Sequence, residues 1–253
     1  MKLVHVRDIV IGEGRPKICV PIVGKTRMDI LAEASSFSSL PVDLAEWRVD
    51  WYEDVFSTEK VLETARRLRE TLKNIPILFT FRTAKEGGEK EISPEVYRDL
   101  NVAVAESGSV DLVDVEAFTG EAIVKEIIEK AHRADVKVVA SNHDFHKTPE
   151  KDEIVRRLCY MQELGADLPK IALMPACRRD VLTLLDATLE MNERHDATPV
   201  ITMSMSGTGV VSRLTGETFG SALTFGAASK ASAPGQIPVE NLRRVLEIVH
   251  ESV

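Results

Sequence analysis

The chain has 253 residues, of which 44% are hydrophobic, and a formal net charge of -8. A chain of this length buries roughly three quarters of the surface its unfolded form exposes, so it needs no disulfide or metal staple to fold. The acidic balance, with no basic cluster beyond pairs such as Arg66-Arg67 and Arg178-Arg179, argues against a nucleic-acid partner and for a small molecule or another protein.

The opening stretch "MKLVHVRDIVIGEG" is interrupted by His5, Arg7 and Asp8 and lacks the apolar core of a signal peptide. No segment has the length of a membrane helix. Cys19, Cys159 and Cys177 are odd in number, far apart and in no metal-ligand spacing, as in proteins of reducing compartments. No catalytic role falls to them. The expected location is the cytoplasm, with no membrane partner.

Residues 1 to 12 alternate like a hairpin, and residues 1–16 are expected to form an arm that covers the bottom of the fold. Eight short apolar runs follow: 17 to 23, 42 to 50, 76 to 83, 110 to 118, 136 to 144, 168 to 175, 198 to 205 and 221 to 226. Helical patterns separate them. In "STEKVLETARRLRETLK", Val61, Leu62, Ala65, Leu68 and Leu72 recur at helical spacing, and Ser57 stands where a cap belongs. The stretches beginning at Ser93, Gly120, Thr148 and Cys177 read the same way, the first and third with Pro94 and Pro149 just inside the start. The Gly-rich "SGTGVVSRLTGETFG" is the weakest helical pattern.

Eight strands alternating with helices predict a parallel (β/α)8 barrel, a TIM barrel in α/β terms, in one domain spanning 1–253. An open doubly wound sheet is the competitor, but no Gly-x-Gly-x-x-Gly follows the first strand. No linker, internal repeat or low-complexity tract divides the chain.

Strands covered on both sides should be apolar throughout, so their polar residues carry information. A period of two puts Glu46, Arg48 and Asp50 on one face of the second strand and Ala45, Trp47 and Val49 on the other. It groups Thr80 with Arg82, Asp114 with Glu116, Ser141 with His143, and Lys170 with Leu168, Ala172 and Met174; Ile201, Met203 and Met205 share a face on the seventh. These charged faces should converge inside the barrel at its C-terminal mouth. Any one of them alone is more ordinarily a rim residue or ion-pair partner.

Two chemistries compete there. His143, His146 and Asp144, with Glu46, Asp114 and Glu116, offer the donor types of a metal-dependent hydrolase. For His146 a polar loop is the better reading, with Asp144 or Thr148 capping the next helix. Lys170 beside His143 on the neighbouring strand favours imine chemistry instead. Lysine attacks a ketone only as the free amine, and at an ordinary pKa near 10.4 about one in 2,500 is free at pH 7. A dry cavity would raise that fraction and turn an awkward burial into an activation step. A neighbouring histidine can then take the proton that the iminium acidifies.

The blocks "EWRVD", "FTFRTAKEGG", "SNHDFHKTP", "LPKIALMP", "ITMSMSGTGVVSR", "FGSALTFG" and "ASAPGQI", in this order along the whole chain, resemble type I 3-dehydroquinate dehydratases, Schiff-base lyases of the shikimate pathway, which leads to chorismate and the aromatic amino acids. The resemblance implies a cofactor-free, metal-free homodimer that dehydrates 3-dehydroquinate to 3-dehydroshikimate. It makes Lys170 the imine former, His143 the acid and base, and Glu86 the group that orients His143. Glu46, Arg48 and Arg82 would hold substrate hydroxyls, Arg213 its carboxylate with help from Ser232 and Gln236, and Met203 and Met205 would wall the ring. The composition of "SKASAPGQIPVE" suits a lid. Some members of the family carry a hydroxyl residue where Pro21 stands. A class I aldolase shares the lysine chemistry but calls for a phosphate cradle, for which "SGTG" at 206 to 209 is the candidate. A catalytically silent binding barrel would have no reason to keep a Lys–His pair.

Overall fold

A computed structural model describes residues 2–228 and 234–252. The chain opens with an antiparallel hairpin, β1 (Val4–Val6) and β2 (Ile9–Ile11). Eight strands follow: β3 (Lys17–Ile22), β4 (Leu44–Arg48), β5 (Ile77–Thr80), β6 (Leu112–Glu116), β7 (Lys137–Asp144), β8 (Leu168–Leu173), β9 (Ile201–Ser204) and β10 (Leu223–Ala227). From β3 to β9 each pairs in parallel with the next, and β10 pairs back onto β3. A parallel bridge between Val200 and Ser221 closes the ring, with the Ala222 N–H donating to the Val200 carbonyl at 2.9 Å. A two-residue strand, β11 (Ile237–Pro238), adds outside β10.

Helices fill the connections: α1 (Arg27–Ser36), α2 (Thr58–Leu72), α3 (Pro94–Glu106), α4 (Glu121–Arg133), α5 (Lys151–Glu163), α6 (Arg178–Arg194), the short α7 (Val210–Leu214) and α8 (Gly216–Phe219), and α9 (Val239–His250). Local chemistry explains several starts. Ser93 accepts the Val96 N–H, and Pro94 opens α3 where no N–H is needed. Thr26 and Asp29 form a reciprocal capping box on α1. Ser57 occupies the cap position of α2, but its side chain makes no capping bond. Pro149 lies upstream of α5, which begins at Lys151. Neither Asp144 nor Thr148 caps that helix: Asp144 accepts the N–H groups of His146 and Lys147, and Thr148 donates to the Met174 carbonyl.

The strands separate two apolar layers. Outward residues such as Trp47, Phe79, Val113 and Ile171 pack against the helices. Inward residues at the N-terminal strand ends, among them Leu44, Leu78, Leu112, Val139, Leu168, Ile201 and Leu223, pack with Val4, Val6 and Ile11 of the hairpin. The hairpin therefore closes the barrel floor, and the polar inward residues are confined to the other end.

A local device recurs beneath the floor. Asp43, Asp111 and Asp167 each stand one residue before β4, β6 and β8. Their carboxylates accept the N–H of Ile18, Ile77 and Val138 at 2.7, 2.7 and 2.8 Å. Their own N–H groups donate to the carbonyls of the same three residues. The motif reads "VDL", "VDL" and "ADL", so a short repeated unit is present although no repeat divides the chain. Arg243 pairs with Asp43, Arg69 and Arg7 with Asp111, and His132 with Asp167.

Candidate active site

Two residues after each leucine of the floor on β4, β6, β8 and β10 come Glu46, Asp114, Lys170 and Phe225. Alternate strands supply one layer of a barrel interior, so these four side chains meet. Lys170, 3% exposed, has its ammonium 3.2 Å from Asp114 Oδ2, 4.0 Å from Glu46 Oε1 and 4.6 Å above the Phe225 ring centre. The dry cavity expected around Lys170 is thus a charged one. A buried ammonium finds carboxylates and a ring face there because isolation would be far less favourable.

Arg82 joins these groups to the next layer. Its Nη2 donates to Asp114 at 2.7 Å, and its Nη1 donates to Glu116 at 3.0 Å and to Ser141 at 2.9 Å. Burial works against its charge, but Asp114, Glu116 and Glu86 hold the guanidinium pKa well above its ordinary value. Burial would raise Asp114, yet Arg82, Lys170 and Ser141 together hold it below the usual carboxylate range. Glu116 accepts the Thr83 N–H and hydroxyl as well. Arg48 is gripped on two sides by Asp50, through Nε at 2.9 Å and Nη2 at 2.8 Å. Asp50, fully buried in the turn after β4, also accepts the N–H groups of Arg82 and Glu89.

The "AKEGG" turn presents Glu86 to the cleft. Gly88 permits it because a Cβ there would lie 1.9 Å from the Arg82 carbonyl oxygen, and Gly87 takes φ +84°, a left-handed value suited to glycine. Glu86 Oε2 lies 2.9 Å from His143 Nδ1 and accepts the His143 backbone N–H at 2.9 Å; Oε1 accepts from Asn142. Burial, with Glu116 adding, raises Glu86 to about 7, against the pull of Arg82 and the donated hydrogen bonds. His143 is pushed well below an ordinary histidine by burial and then by Arg82, Lys170 and Arg48. The imidazole is therefore neutral near pH 7. An ionised Glu86 selects the tautomer with hydrogen on Nδ1 and leaves Nε2 able to accept a proton.

These groups line one cleft, which with its open mouth encloses roughly 500 Å³ of atom-free space. Glu46, Arg48, Arg82, Glu86, His143, Lys170, Met203, Met205, Arg213 and Gln236 all face it. Ser232 lies outside the described residues. Arg213, 2% exposed, donates through Nη2 to the Pro234 carbonyl at 3.1 Å, and its Nε has no partner among the described residues. Among the described residues it forms no ion pair, and burial lowers its pKa to about 10. A buried guanidinium without an acid marks a seat for an anion.

Two members of the wall escaped the sequence reading, Phe225 and Phe145. Phe225 shares the inward phase of Leu223, which is a usable signal; Phe145 follows β7 in a loop and gives none. His146 is exposed and stands outside the cleft. Among the described residues no group of three His, Cys, Asp or Glu side chains is placed to hold a metal ion. The "SGTG" turn and Pro21 do not line the cleft either.

A family model described as type I 3-dehydroquinase matches residues 18–253. The chain belongs to the type I 3-dehydroquinase family. Its relatives in this family of hydro-lyases include the 3-dehydroquinate dehydratases of Clostridium botulinum, 57% identical over 100% of this chain and 99% of that one, and of Salmonella typhimurium, 57% identical over 100% of each. The solved type I 3-dehydroquinate dehydratase of Clostridium difficile, with covalently modified comenic acid, superposes with a TM-score of 0.97 at 55% identity, over 100% of this chain and 99% of that one. The Geobacillus kaustophilus 3-dehydroquinate dehydratase gives 0.96 at 40% identity, over 99% and 97%. Among the described residues, no helix is long and apolar enough to cross a membrane.

Proposed function

We propose that the protein dehydrates 3-dehydroquinate to 3-dehydroshikimate through an imine on Lys170. The observation that carries this reading is a buried lysine and a neutral histidine on paired strands, facing one cleft with an arginine that has no acidic partner among the described residues. Ser141 stands opposite Lys170 and His143 opposite Ala172, so amine and imidazole address one bound molecule, with little bulk at Ala172.

In the proposed course, the free amine of Lys170 attacks the substrate ketone, and loss of water leaves an iminium. His143, through Nε2, removes a proton from the adjacent carbon, and the electrons of that C–H bond move into the iminium to give an enamine. The enamine expels the hydroxyl, which leaves as water with the proton held by His143. Water then hydrolyses the second iminium and releases product and lysine. Arg213 seats the substrate carboxylate with help from Gln236, and the family resemblance adds Ser232 to that role. Glu46, Arg48 and Arg82 face its hydroxyls, and Met203 and Met205 supply apolar walls. Glu86 fixes the histidine tautomer. The covalently modified comenic acid named for the C. difficile relative is in keeping with covalent chemistry in this family.

The test is intact-protein mass spectrometry after borohydride treatment with dehydroquinate. A single reduced adduct, lost in Lys170→Ala, is expected; activity surviving in that variant would overturn the reading. The filled cleft should also raise the melting temperature by several degrees. As parts of the same reading, residues 1–253 act as one barrel domain in the shikimate pathway, in the cytoplasm and as a homodimer. Sedimentation equilibrium tests the last point.

A further inference from the structure

Lys170 is the group on which the proposed chemistry turns, yet its nearest charged neighbour has no part in that scheme. Asp114 is fully buried, and its two oxygens have separate duties. Oδ1 is anchored by Ser141 at 2.6 Å and Arg82 at 2.7 Å; Oδ2 faces the Lys170 ammonium at 3.2 Å. A carboxylate anchored through one oxygen keeps the other aimed at the lysine nitrogen and can stay with its charge without rotating.

From this geometry we propose that Asp114 is the counter-ion of the Lys170 nitrogen and keeps it company from ammonium to iminium. The inference rests on the imine reading above. When amine and ketone join, the C–N bond forms and the carbonyl electron pair moves to oxygen, which takes a proton and leaves as water. The nitrogen retains one hydrogen and a positive charge. That N–H can donate to Asp114 Oδ2 just as the ammonium does. When His143 removes the neighbouring proton the nitrogen becomes neutral, and expulsion of the hydroxyl makes it positive again. A fixed negative charge in a site with little water favours each charged state of the nitrogen over each neutral one.

Other charges bear on the nitrogen and set the background for any change at Asp114. Glu46 from β4 lies 4.0 Å from it, Arg82 is reached through Asp114, and Phe225 covers another side. His143 on β7 and Cys19 on β3 each feel the Lys170 charge, and Glu86, Arg48 and Arg213 complete the ionisable cleft wall. Asp114→Asn keeps the shape and removes one negative charge. Arg82, left with Glu116 and Glu86, then repels an ammonium more strongly.

The substitution should act in opposite directions on two reactions of one nitrogen. Borohydride trapping with dehydroquinate, at one pH and one subsaturating concentration, should yield at least 10-fold less adduct in Asp114→Asn, because the iminium has lost its partner. Acetylation of Lys170 by acetic anhydride in the free enzyme, read by peptide mass spectrometry, should become faster, because the amine is released from its ion pair. A collapsed site would slow both reactions, and a spectator aspartate would leave both unchanged; either result overturns the inference. Should the variant fail to fold, the wild-type iminium complex decides it: a crystal structure should keep the nitrogen within hydrogen-bond reach of Oδ2, and a nitrogen turned away from Asp114 overturns it. Wild type that forms no adduct would instead sink the imine reading itself.

Discussion

The floor and the mouth of this barrel are built from the same strands in the same phase, yet they are held by different forces. At the floor, inward leucines on β4, β6, β8 and β10 pack under a hairpin and exclude water. One inward step higher, the same strands deliver Glu46, Asp114, Lys170 and Phe225. The floor gains from burial area alone. The mouth gains only if every charge finds a partner, because breaking a buried ion pair leaves an uncompensated charge. Stability and chemistry are thereby separated by one inward step of each strand, about 7 Å.

The separation can be broken at either end. The largest effect is expected from Lys170→Ala: turnover should fall by about 10⁴-fold or more, since the covalent route is lost, while thermal melting shows no comparable destabilisation. An equal loss of folding would mean that the lysine holds the mouth together. Next comes the floor. Leu112→Ala should cost about 2–5 kcal/mol in denaturant unfolding, with kcat per folded molecule nearly unchanged. A drop in kcat there would show that the floor reaches the chemistry. Arg213→Ala removes a buried cation that has no acidic partner among the described residues, so substrate binding should weaken by about 2–3 kcal/mol in KM, while stability holds or rises.

The smallest effect concerns pH. With Glu86 titrating at about 7, protonation as pH falls lets the carboxyl donate to His143 Nδ1 and moves the imidazole hydrogen to Nε2, where it blocks proton removal. Between pH 8 and 6, kcat/KM of the wild type should fall by about 10-fold, and Glu86→Gln should flatten this limb. The sign for stability is the reverse. A carboxyl whose pKa is raised by folding stabilises the fold most below its unfolded value near 4.3, and that contribution is lost as pH rises through about 7. Glu86→Gln should accordingly melt higher than wild type at pH 8, and by a smaller margin near pH 4.

Strand phase made most of this site legible. Outward residues such as Trp47 and Val113 pack on helices and must be apolar, so every charge in the alternate phase had to be inward. Phase says nothing about loops, and Phe145 and the clamp on Arg48 by Asp50 were out of its reach. Nor does it tell which inward neighbours touch, so a dry setting for Lys170 was expected where Asp114 lies 3.2 Å away. Helix α1 buries only Ile30 and Ala34 and has no clear apolar stripe to announce it; its capping box is the better signal. The aspartates beneath the floor were hidden because their repeats are unevenly spaced along the chain.

Those aspartates have a reach beyond their own hydrogen bonds. Asp43, Asp111 and Asp167 each tie a strand to the one before it by two bonds to a single residue, which forbids a slip along the strand axis. A slip of one residue in β8 would turn Lys170 out among the helices and bring Pro169 or Ile171 into the barrel. The altitude at which the amine meets its carboxylates is thus surveyed from the far end of the strands, by side chains that never face the cleft.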